Sequence, residues 1–431
     1  MKNARLKWGL GALLVVVGVG ACDDLLTVSD PQRYTADDLD TALPAVANGV
    51  EGAIHEVIDT WVIYQALIAD EYEHTGTWSG YDEVDHGRFQ YGTSAMDGTM
   101  NSLLRARWFA GSAEERIRRV EGDAPSALLA QVRLGGALAD LYIGMAFCEA
   151  PAVADGPAVA DTEILQQAVT KFTQTLEIAQ AAGATRFANA AMAGRARANL
   201  LLGNYAAAAS DAAQVPDGFS YEAKFNNQSS NSVVTLTTAT FNEAAGLRNK
   251  WWSRVPADAG GPTFMRDPYS GQLDPRIPVH WDGDRATDNI TPHYSQWKYT
   301  VETDDIPMLH SDGMRLIQAE AAMRTGNYAA AMGFINTLRG NVGLDPIAVP
   351  TDEGTMRNIL LSERFAELYM EGMRAVDLWR FNASKQVFTE MNDGERPASG
   401  RPIKFTLSDT EALYNNNIND DLAQRCLPKT N

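Results

Sequence analysis

The chain has 431 residues, of which 45% are hydrophobic, and its formal net charge at pH 7 is −19. This length and apolar content are sufficient for a large buried core. The charge argues against nucleic acid and against an anionic membrane surface as the ligand, because phosphate groups are bound by clustered lysine and arginine.

The first 21 residues have the organisation of a secretory signal. A basic start at residues 2–7 precedes a short apolar run at 10–19, which is too short to span a membrane comfortably. The run ends in Val-Gly-Ala before Cys22, the pattern at which lipoprotein signals are cut and the cysteine is acylated. We therefore predict that residues 1–21 are removed, that Cys22 carries acyl chains such as palmitate, and that residues 22–34 form a tether. The alternative is an ordinary signal or a single-pass anchor in which the cysteine is incidental.

Two further cysteines follow, Cys148 and Cys426. If Cys22 carries lipid, these two remain as a pair in an oxidising compartment, and we predict a disulfide between them. Two separately buried thiols are the alternative, because spacing along the sequence does not report distance.

Helical periodicity dominates the sequence from residue 35 to about residue 214. A capping pattern starts the first helix, and its apolar positions continue through Leu67. Further helices are predicted at residues 100–120, 126–147 and 162–182. Turn-rich breaks are predicted at 76–98 and 151–157.

An internal repeat occupies the end of this region and recurs later in the chain. Ala196-Arg-Ala198 leads to Gly203-Asn-Tyr-Ala-Ala-Ala208, and Ala319-Glu-Ala321 leads to Gly326-Asn-Tyr-Ala-Ala-Ala331 in the same register. Small residues allow two helices to approach closely, and Gly-Asn makes a tight turn, as is typical of a tetratricopeptide helix pair. Two unrelated alanine-rich hairpins are the alternative.

The segment between the two copies, residues 216–306, is rich in turn-forming and aromatic residues. It is predicted to be loop-rich, with one helix at 241–254, and a segment of this kind is usually functional. Helices are predicted again at 312–324, 329–338 and 353–381. The last 40 residues are predicted to be irregular.

The stretch from residue 363 to residue 381 combines charged and apolar residues at helical spacing with one glycine. Glu363, Glu367 and Glu371 would share one helical face. Gly372 permits a bend, after which Arg374 and Asp377 lie one turn apart and can pair.

This stretch resembles the C-terminal signature of the SusD/RagB family, which has Arg, Glu-Leu, Glu-Gly-x-Arg, Asp-Leu and Arg-aromatic at fixed offsets. Asn341 and Phe381 stand where Arg and Trp are usual, which indicates a divergent member. Other family-like pieces are Ala69-Asp70-Glu71, Ala106-Arg107, Asp274-Pro275-Arg276, Lys298-Tyr299 and the run at 314–344.

The resemblance implies one mostly α-helical, tetratricopeptide-like domain over residues 35–431. Its expected parts are helical repeats at 35–214 and 307–382, the loop-rich insertion at about 216–306, and an irregular segment at 383–431.

The sequence holds no common catalytic motif, neither Gly-x-Ser-x-Gly nor His-Glu-x-x-His nor a phosphate-binding loop. Asp70, Glu71, Glu73 and His74 form an acidic cluster that could serve a glycosidase or hold a metal. Such clusters are more often solvated helix ends. We therefore predict a protein that is not an enzyme, without catalytic residues, cofactor or bound metal.

Aromatic residues in the loops are the stronger binding signal. Sugar rings stack their C–H faces on flat aromatic side chains, while polar side chains bind the hydroxyl groups. The alternative for each ring is packing between scaffold and insertion. The predicted ligand-binding residues are Trp78, Tyr81, Trp251, Trp252, Trp281, Tyr294 and Trp297.

By resemblance, we expect a lipid-anchored protein of the outer membrane, displayed at the cell surface, that captures a nutrient. The nutrient would be a glycan or a peptide, and the partner a SusC-like TonB-dependent transporter. Nucleic acid is not expected. The alternatives are a periplasmic tetratricopeptide-type scaffold lipoprotein in envelope assembly and a glycosidase that uses the cluster at Asp70.

Overall fold

The computed structural model describes residues 36–88, 94–238, 244–281, 283–383 and 404–418. Cys22 and Cys426 lie outside these residues, so the lipid attachment and the disulfide to Cys148 stay predictions. None of the helices described is long and apolar enough to cross a membrane. The chain divides into a small unit up to Leu43, which contains helix α1 (Ala36–Thr41), and a large unit from Pro44 onward.

Helices fill the first half of the large unit, as the periodicity predicts. Their bounds are α2 (Leu43–Ile68), α3 (Ser79–Asp85), α4 (Ser94–Glu121), α5 (Ala127–Ala146), α6 (Asp161–Ala181), α7 (Thr185–Leu201) and α8 (Tyr205–Ala212). The predicted break at 76–98 is wrong in part, because α3 lies inside it and α4 begins at Ser94. The break at 151–157 joins strands β2 (Glu149–Pro151) and β3 (Ala158–Ala160), which pair with each other.

Small residues let the helices of this half approach closely. Ser126 caps the start of helix α5, and its side chain accepts a hydrogen bond from the Leu129 N–H. The helix packs against α4 and α6, and most of its residues are buried. On α7, a β-carbon at Gly194 would lie 2.4 Å from the ring of Phe172 on α6, so glycine is required there.

The two copies of the repeat form the predicted helix pairs. The first is α7 followed by α8, and the second is α10 (Ser311–Arg324) followed by α11 (Tyr328–Asn341). Gly203 and Gly326 make the turns with φ of +78° and +74°, values that favour glycine. Helix α10 packs against α7 and α8, so the two pairs stack on each other. The fold is mostly α-helical and tetratricopeptide-like, as predicted.

The insertion is made of short antiparallel strands. In order they are β4 (Ser220–Ala223), β5 (Ala245–Leu247), β6 (Gly261–Arg266), β7 (Leu273–Trp281), β8 (Ser295–Gln296) and β9 (Ile306–His310), with the short helix α9 (Ser232–Thr237). Strand β5 pairs with β1 (Tyr72–His74), β4 pairs with β9, and β6, β7 and β8 form one sheet.

The predicted helix at 241–254 is wrong in part over the residues that the structure describes. Residues 245–247 are strand β5, and Asn249–Arg254 form a 3-10 helix. The pairing of β5 with β1 supplies hydrogen bonds between distant residues, which overrides the local helical pattern.

The predicted helix at 353–381 is two helices, α12 (Glu353–Glu367) and α13 (Arg374–Arg380). Between them the chain bends sharply, with φ of +54° at Met370 and +71° at Gly372. A β-carbon at Gly372 would lie 2.4 Å from Nε1 of the buried Trp61. Because α12 ends at Glu367, the prediction that Glu371 shares its face is wrong. Helix α14 (Asp409–Tyr414) follows near the end.

Candidate functional site

The bend between α12 and α13 is held to the N-terminal half by an ion pair. Arg374 donates to both carboxylate oxygens of Asp70, at 2.6 and 2.9 Å, and Lys250 donates to the same carboxylate at 2.8 Å. Burial alone would raise the pKa of Asp70, but Arg374 and Lys250 outweigh it and hold the pKa well below its usual range. Asp70 is therefore a charged anchor inside the framework.

Arg374 and Asp377 do not form the pair that their spacing suggests. Arg374 donates to Asp70, whereas Asp377 accepts from Arg364 at 2.7 Å and from Arg380 at 2.9 Å. Arg380 also binds Glu320 of the second repeat through two hydrogen bonds of 2.7 and 2.8 Å. The signature therefore links α13 to the helical repeats.

Helix α12 is joined to the insertion in the same way. Arg276 donates to Glu363 at 2.9 Å and to Glu367 at 3.3 Å. Arg339 donates to Glu363 at 2.6 Å and to Asp267 at 3.0 Å. Glu363 thus accepts from two arginines that come from different segments of the chain.

Glu371 anchors the bend itself. It accepts from Lys298 at 2.7 Å and lies 3.0 Å from Nε2 of His310, while Tyr299 donates to the Met370 carbonyl at 3.1 Å. Burial would raise the pKa of Glu371, but His310 and Lys298 lower it to about 2. The family-like segments at 69–71, 274–276, 298–299 and 314–344 are therefore bonded to the 363–381 stretch in the interior, whereas Arg107 donates to the Pro151 carbonyl at 2.8 Å.

The acidic cluster belongs to this framework. Glu71 is buried, and one of its carboxylate oxygens accepts from the Met370 N–H at 2.9 Å. Burial raises the pKa of Glu71 to about 7. Glu73 is also buried, in strand β1. The cluster is therefore an interior feature, and it is not the solvated helix end that is commoner for such sequences.

An aromatic cavity lies at the start of α3. Its volume is about 370 Å³, and its lining includes Trp78 and Tyr81, two of the predicted binding residues. The Tyr81 ring lies 5.5 Å from Trp78 and 5.5 Å from Tyr64. Trp78 is 48% exposed, so one large apolar ring faces solvent at the cavity. The lining also includes Thr77, Ser79 and Ser94, whose side chains carry hydroxyl groups.

Tyr64 was not predicted from the sequence. It lies on α2 at helical spacing with apolar residues, and nothing in that pattern distinguishes a ring that lines a cavity from a core ring. His74 was predicted only as part of the acidic cluster, yet its ring lies 5.9 Å from Tyr81.

A second aromatic group combines three of the predicted residues. The rings of Trp252 and Trp281 both stack on Tyr294, with centroid distances of 5.3 and 4.1 Å. The Trp252 indole donates to the Leu247 carbonyl at 2.7 Å, and the Leu247 N–H donates to the Tyr294 carbonyl at 2.8 Å. All three rings are half-buried.

Strands β1 and β5 connect this stack to the cavity. His74 at one end of the pairing opposes Ala245, and Leu247 at the other end opposes Tyr72. A buried ion pair between Asp85 of α3 and Arg248 reinforces the connection. Arg248 also donates to the Tyr72 carbonyl at 2.5 Å, and the His74 N–H donates to Asp85 at 3.0 Å. The sequence gives no sign of this pair, whose members are 163 residues apart.

Trp251 and Trp297 are separate from both groups. Trp251 stacks on Phe365 at 4.5 Å, and its indole donates to the Asp70 carbonyl at 2.6 Å, as the packing alternative expects. Trp297 stacks on His280 at 4.6 Å. Because His280 and Trp281 are consecutive in β7, their side chains point to opposite faces of the sheet. Ligand binding by any of the seven residues stays a prediction.

Residues 292–419 match the sequence model of the SusD family. No curated protein matches the chain in sequence. Among solved structures, a SusD superfamily protein from Bacteroides vulgatus ATCC 8482 has a TM-score of 0.72 at 14% identity, covering 90% of this chain and 99% of that one. A SusD superfamily protein from Bacteroides thetaiotaomicron VPI-5482 has a TM-score of 0.64 at 14% identity, with coverages of 88% and 99%.

A third solved structure is a SusD-like carbohydrate binding protein from Bacteroides vulgatus ATCC 8482. Its TM-score is 0.58 at 14% identity, and the match covers 80% of this chain and 83% of that one. The segment that matches the family model contains α12, α13 and the bend between them, where the ion pairs meet. The chain therefore carries the sequence pattern of the SusD family over residues 292–419 and shares the fold of these solved SusD superfamily structures.

Proposed function

We propose that this SusD-like protein is a lipid-anchored binding protein that captures a glycan and passes it to a SusC-like TonB-dependent transporter. The observation that carries the proposal is the cavity at Trp78, where an exposed indole stands beside Tyr81 and Tyr64. Such rings match the apolar C–H faces of a sugar, and the neighbouring hydroxyl groups match its polar edge.

The Trp252, Tyr294 and Trp281 stack extends the binding face. Its rings are fixed by one another and by the backbone of β5, so little rotational freedom would be lost on binding a sugar. The β1–β5 pairing and the Asp85–Arg248 ion pair hold the stack in a fixed relation to the cavity.

The structural relatives support a glycan as the ligand. One of them is a SusD-like carbohydrate binding protein, and another is a putative sugar binding protein, both from Bacteroides vulgatus ATCC 8482. In our proposal the protein binds the glycan without hydrolysing it, because Asp70 of the acidic cluster is already paired with Arg374 and Lys250. Incubation of the purified protein with a glycan panel tests this part, and any hydrolysis product would contradict it.

A glycan array is the first test of the ligand class. Hits are then titrated by tryptophan fluorescence with the wild-type protein and the Trp78→Ala variant. The Trp108→Ala variant is the matched control, because Trp108 is 67% exposed on α4 and does not line the cavity. Binding that is equal in all three proteins would rule out the cavity as the site.

Anchoring at Cys22 and display at the cell surface complete the proposal. Metabolic labelling with a palmitate analogue should mark the wild-type chain and fail to mark Cys22→Ser. Protease treatment of intact cells should remove the protein if it is displayed outside. Full survival would favour the periplasmic scaffold instead. Copurification of a TonB-dependent transporter tests the partner.

A further inference from the structure

We propose a second ligand site, for a neutral polyhydroxylated ring such as a monosaccharide unit, in the cavity between the first helical repeat and α13. This cavity has a volume of about 590 Å³, within the range of about 300–1,000 Å³ typical of small-molecule sites. Its lining residues include Trp379, Tyr205, Thr162, Asn382, Asp161 and Lys404. The cavity near Trp78 is lined by a different set of residues.

The walls of this second cavity are rigid parts of the framework. Arg380 is tied to Glu320 by two hydrogen bonds of 2.7 and 2.8 Å, which fixes α13 against the second repeat. The lining also includes Gly203, whose φ of +78° sets the tight turn between α7 and α8. A site formed by such elements is largely preformed, so a ligand would not need to order it.

The charges at the cavity are compensated in pairs. Lys404 donates to Asp161 at 2.6 Å and to the Gly144 carbonyl at 2.8 Å. Arg380 is bound by Glu320 and Asp377. A phosphate or carboxylate ligand would have to compete with these carboxylates for the cations. The site therefore favours a ligand without net charge.

The remaining groups suit a sugar ring. Trp379 is half-buried and contributes a flat aromatic ring to the cavity, and the Lys404 ammonium lies 5.8 Å from the centroid of that ring. Thr162 has a hydroxyl group, Tyr205 a phenol and Asn382 an amide, and each can donate and accept hydrogen bonds. One flat ring with neutral polar groups around it is the combination that recognises a polyhydroxylated ring with an apolar face.

Two consecutive residues link the linings of the two cavities. Lys404 lines the second cavity, whereas the ring of Phe405 lies 5.9 Å from Tyr64 of the first. The second site does not depend on the function proposed for the first, because Trp78 and Trp379 can each be observed separately.

The test uses the full mature chain labelled with 5-fluorotryptophan and observed by ¹⁹F NMR. Trp78→Phe and Trp379→Phe assign the two resonances. Titration with glucose, xylose and maltose should shift the Trp379 resonance saturably with at least one sugar, and inorganic phosphate should leave it in place. A Trp379 resonance that no neutral sugar moves, or that phosphate moves instead, would overturn the proposal. Movement of Trp78 alone would support the first site and reject the second.

A blocking variant keeps the test decisive if Trp379→Phe fails to fold. Thr162 is exposed at the start of α6 and lines the cavity. Thr162→Phe should therefore obstruct the cavity without placing a larger side chain in the hydrophobic core. Thr170→Phe, at an exposed position on the same helix, is the matched control. We expect the apparent affinity at Trp379 to fall by about 10-fold in Thr162→Phe only, which corresponds to about 1.4 kcal/mol. Equal affinity in both variants would reject the cavity as the site.

Discussion

Arg374 and Asp70 lie 304 residues apart in the chain and form two hydrogen bonds, of 2.6 and 2.9 Å, in the protein interior. This pair connects the signature bend to the end of α2. The next residue after Asp70, Glu71, accepts from Met370 in the same bend. The contacts of Arg374 with Asp70 and of Met370 with Glu71 therefore form a structural clasp between the bend and the N-terminal half.

Replacement of Arg374 by Met should destabilise the protein strongly. It would leave Asp70 buried with Lys250 as its remaining cationic partner, and breaking a buried pair typically costs about 3–5 kcal/mol. Urea unfolding monitored by circular dichroism measures this loss. The control is Arg88→Met, which removes an exposed pair with Asp82 and should cost about 1 kcal/mol or less. Equal effects of the two substitutions would contradict the role of the clasp.

Glu71 should make stability depend on pH. Burial raises its pKa from 4.5 to about 7, so the folded state holds the proton more tightly than the unfolded state does. The stabilisation from this proton is complete below pH 4.5 and is lost as the pH rises toward 7 and above. Glu71→Gln, which mimics the protonated form, should lack this contribution to the pH dependence.

The measurement for Glu71 is the difference in unfolding free energy between wild type and Glu71→Gln at several values from pH 5 to pH 8. The difference cancels the pH dependence that comes from His310. Burial would lower the pKa of His310, but its contact with Glu371 outweighs burial and raises that pKa. We expect wild type to lose up to about 3 kcal/mol relative to the variant across this window. A constant difference would show that Glu71 does not titrate there.

Gly372 should not tolerate alanine. A β-carbon there would meet the Trp61 indole at 2.4 Å, and its φ of +71° is unfavourable for any L-residue with a side chain. We expect Gly372→Ala to cost about 1–3 kcal/mol in thermal or urea unfolding. Gly98→Ala is the control, because Gly98 lies on α4 with open space around it, and it should stabilise by about 0.5–1 kcal/mol. A neutral Gly372→Ala would mean that the bend is not constrained as described.

Local sequence patterns predicted much of this fold. Apolar periodicity located the long helices, and the duplicated Gly-Asn-Tyr turn located both helix pairs, because each depends on neighbours in the chain. The patterns failed where distant residues decide the outcome. Strand β5 forms because it pairs with β1, and Arg374 forms its ion pair with the distant Asp70 instead of the nearby Asp377.

The candidate site was harder to predict than the fold. Loop position alone could not separate Trp78, which is exposed at a cavity, from Trp251, which stacks on Phe365 inside the framework. Both are tryptophans in irregular, turn-rich sequence. Only their tertiary surroundings distinguish them, as is also true of Tyr64 on its apolar helix.

The most direct test of the central claim is isothermal titration calorimetry of the best glycan hit with wild type, Trp78→Ala and Trp108→Ala. If the glycan binds at the Trp78 cavity, Trp78→Ala should weaken binding by about 10-fold or more, since an exposed aromatic anchor at a cavity is a typical hot spot. Trp108→Ala should bind as wild type does. Wild-type affinity in Trp78→Ala, or an equal loss in Trp108→Ala, would contradict glycan capture at this cavity.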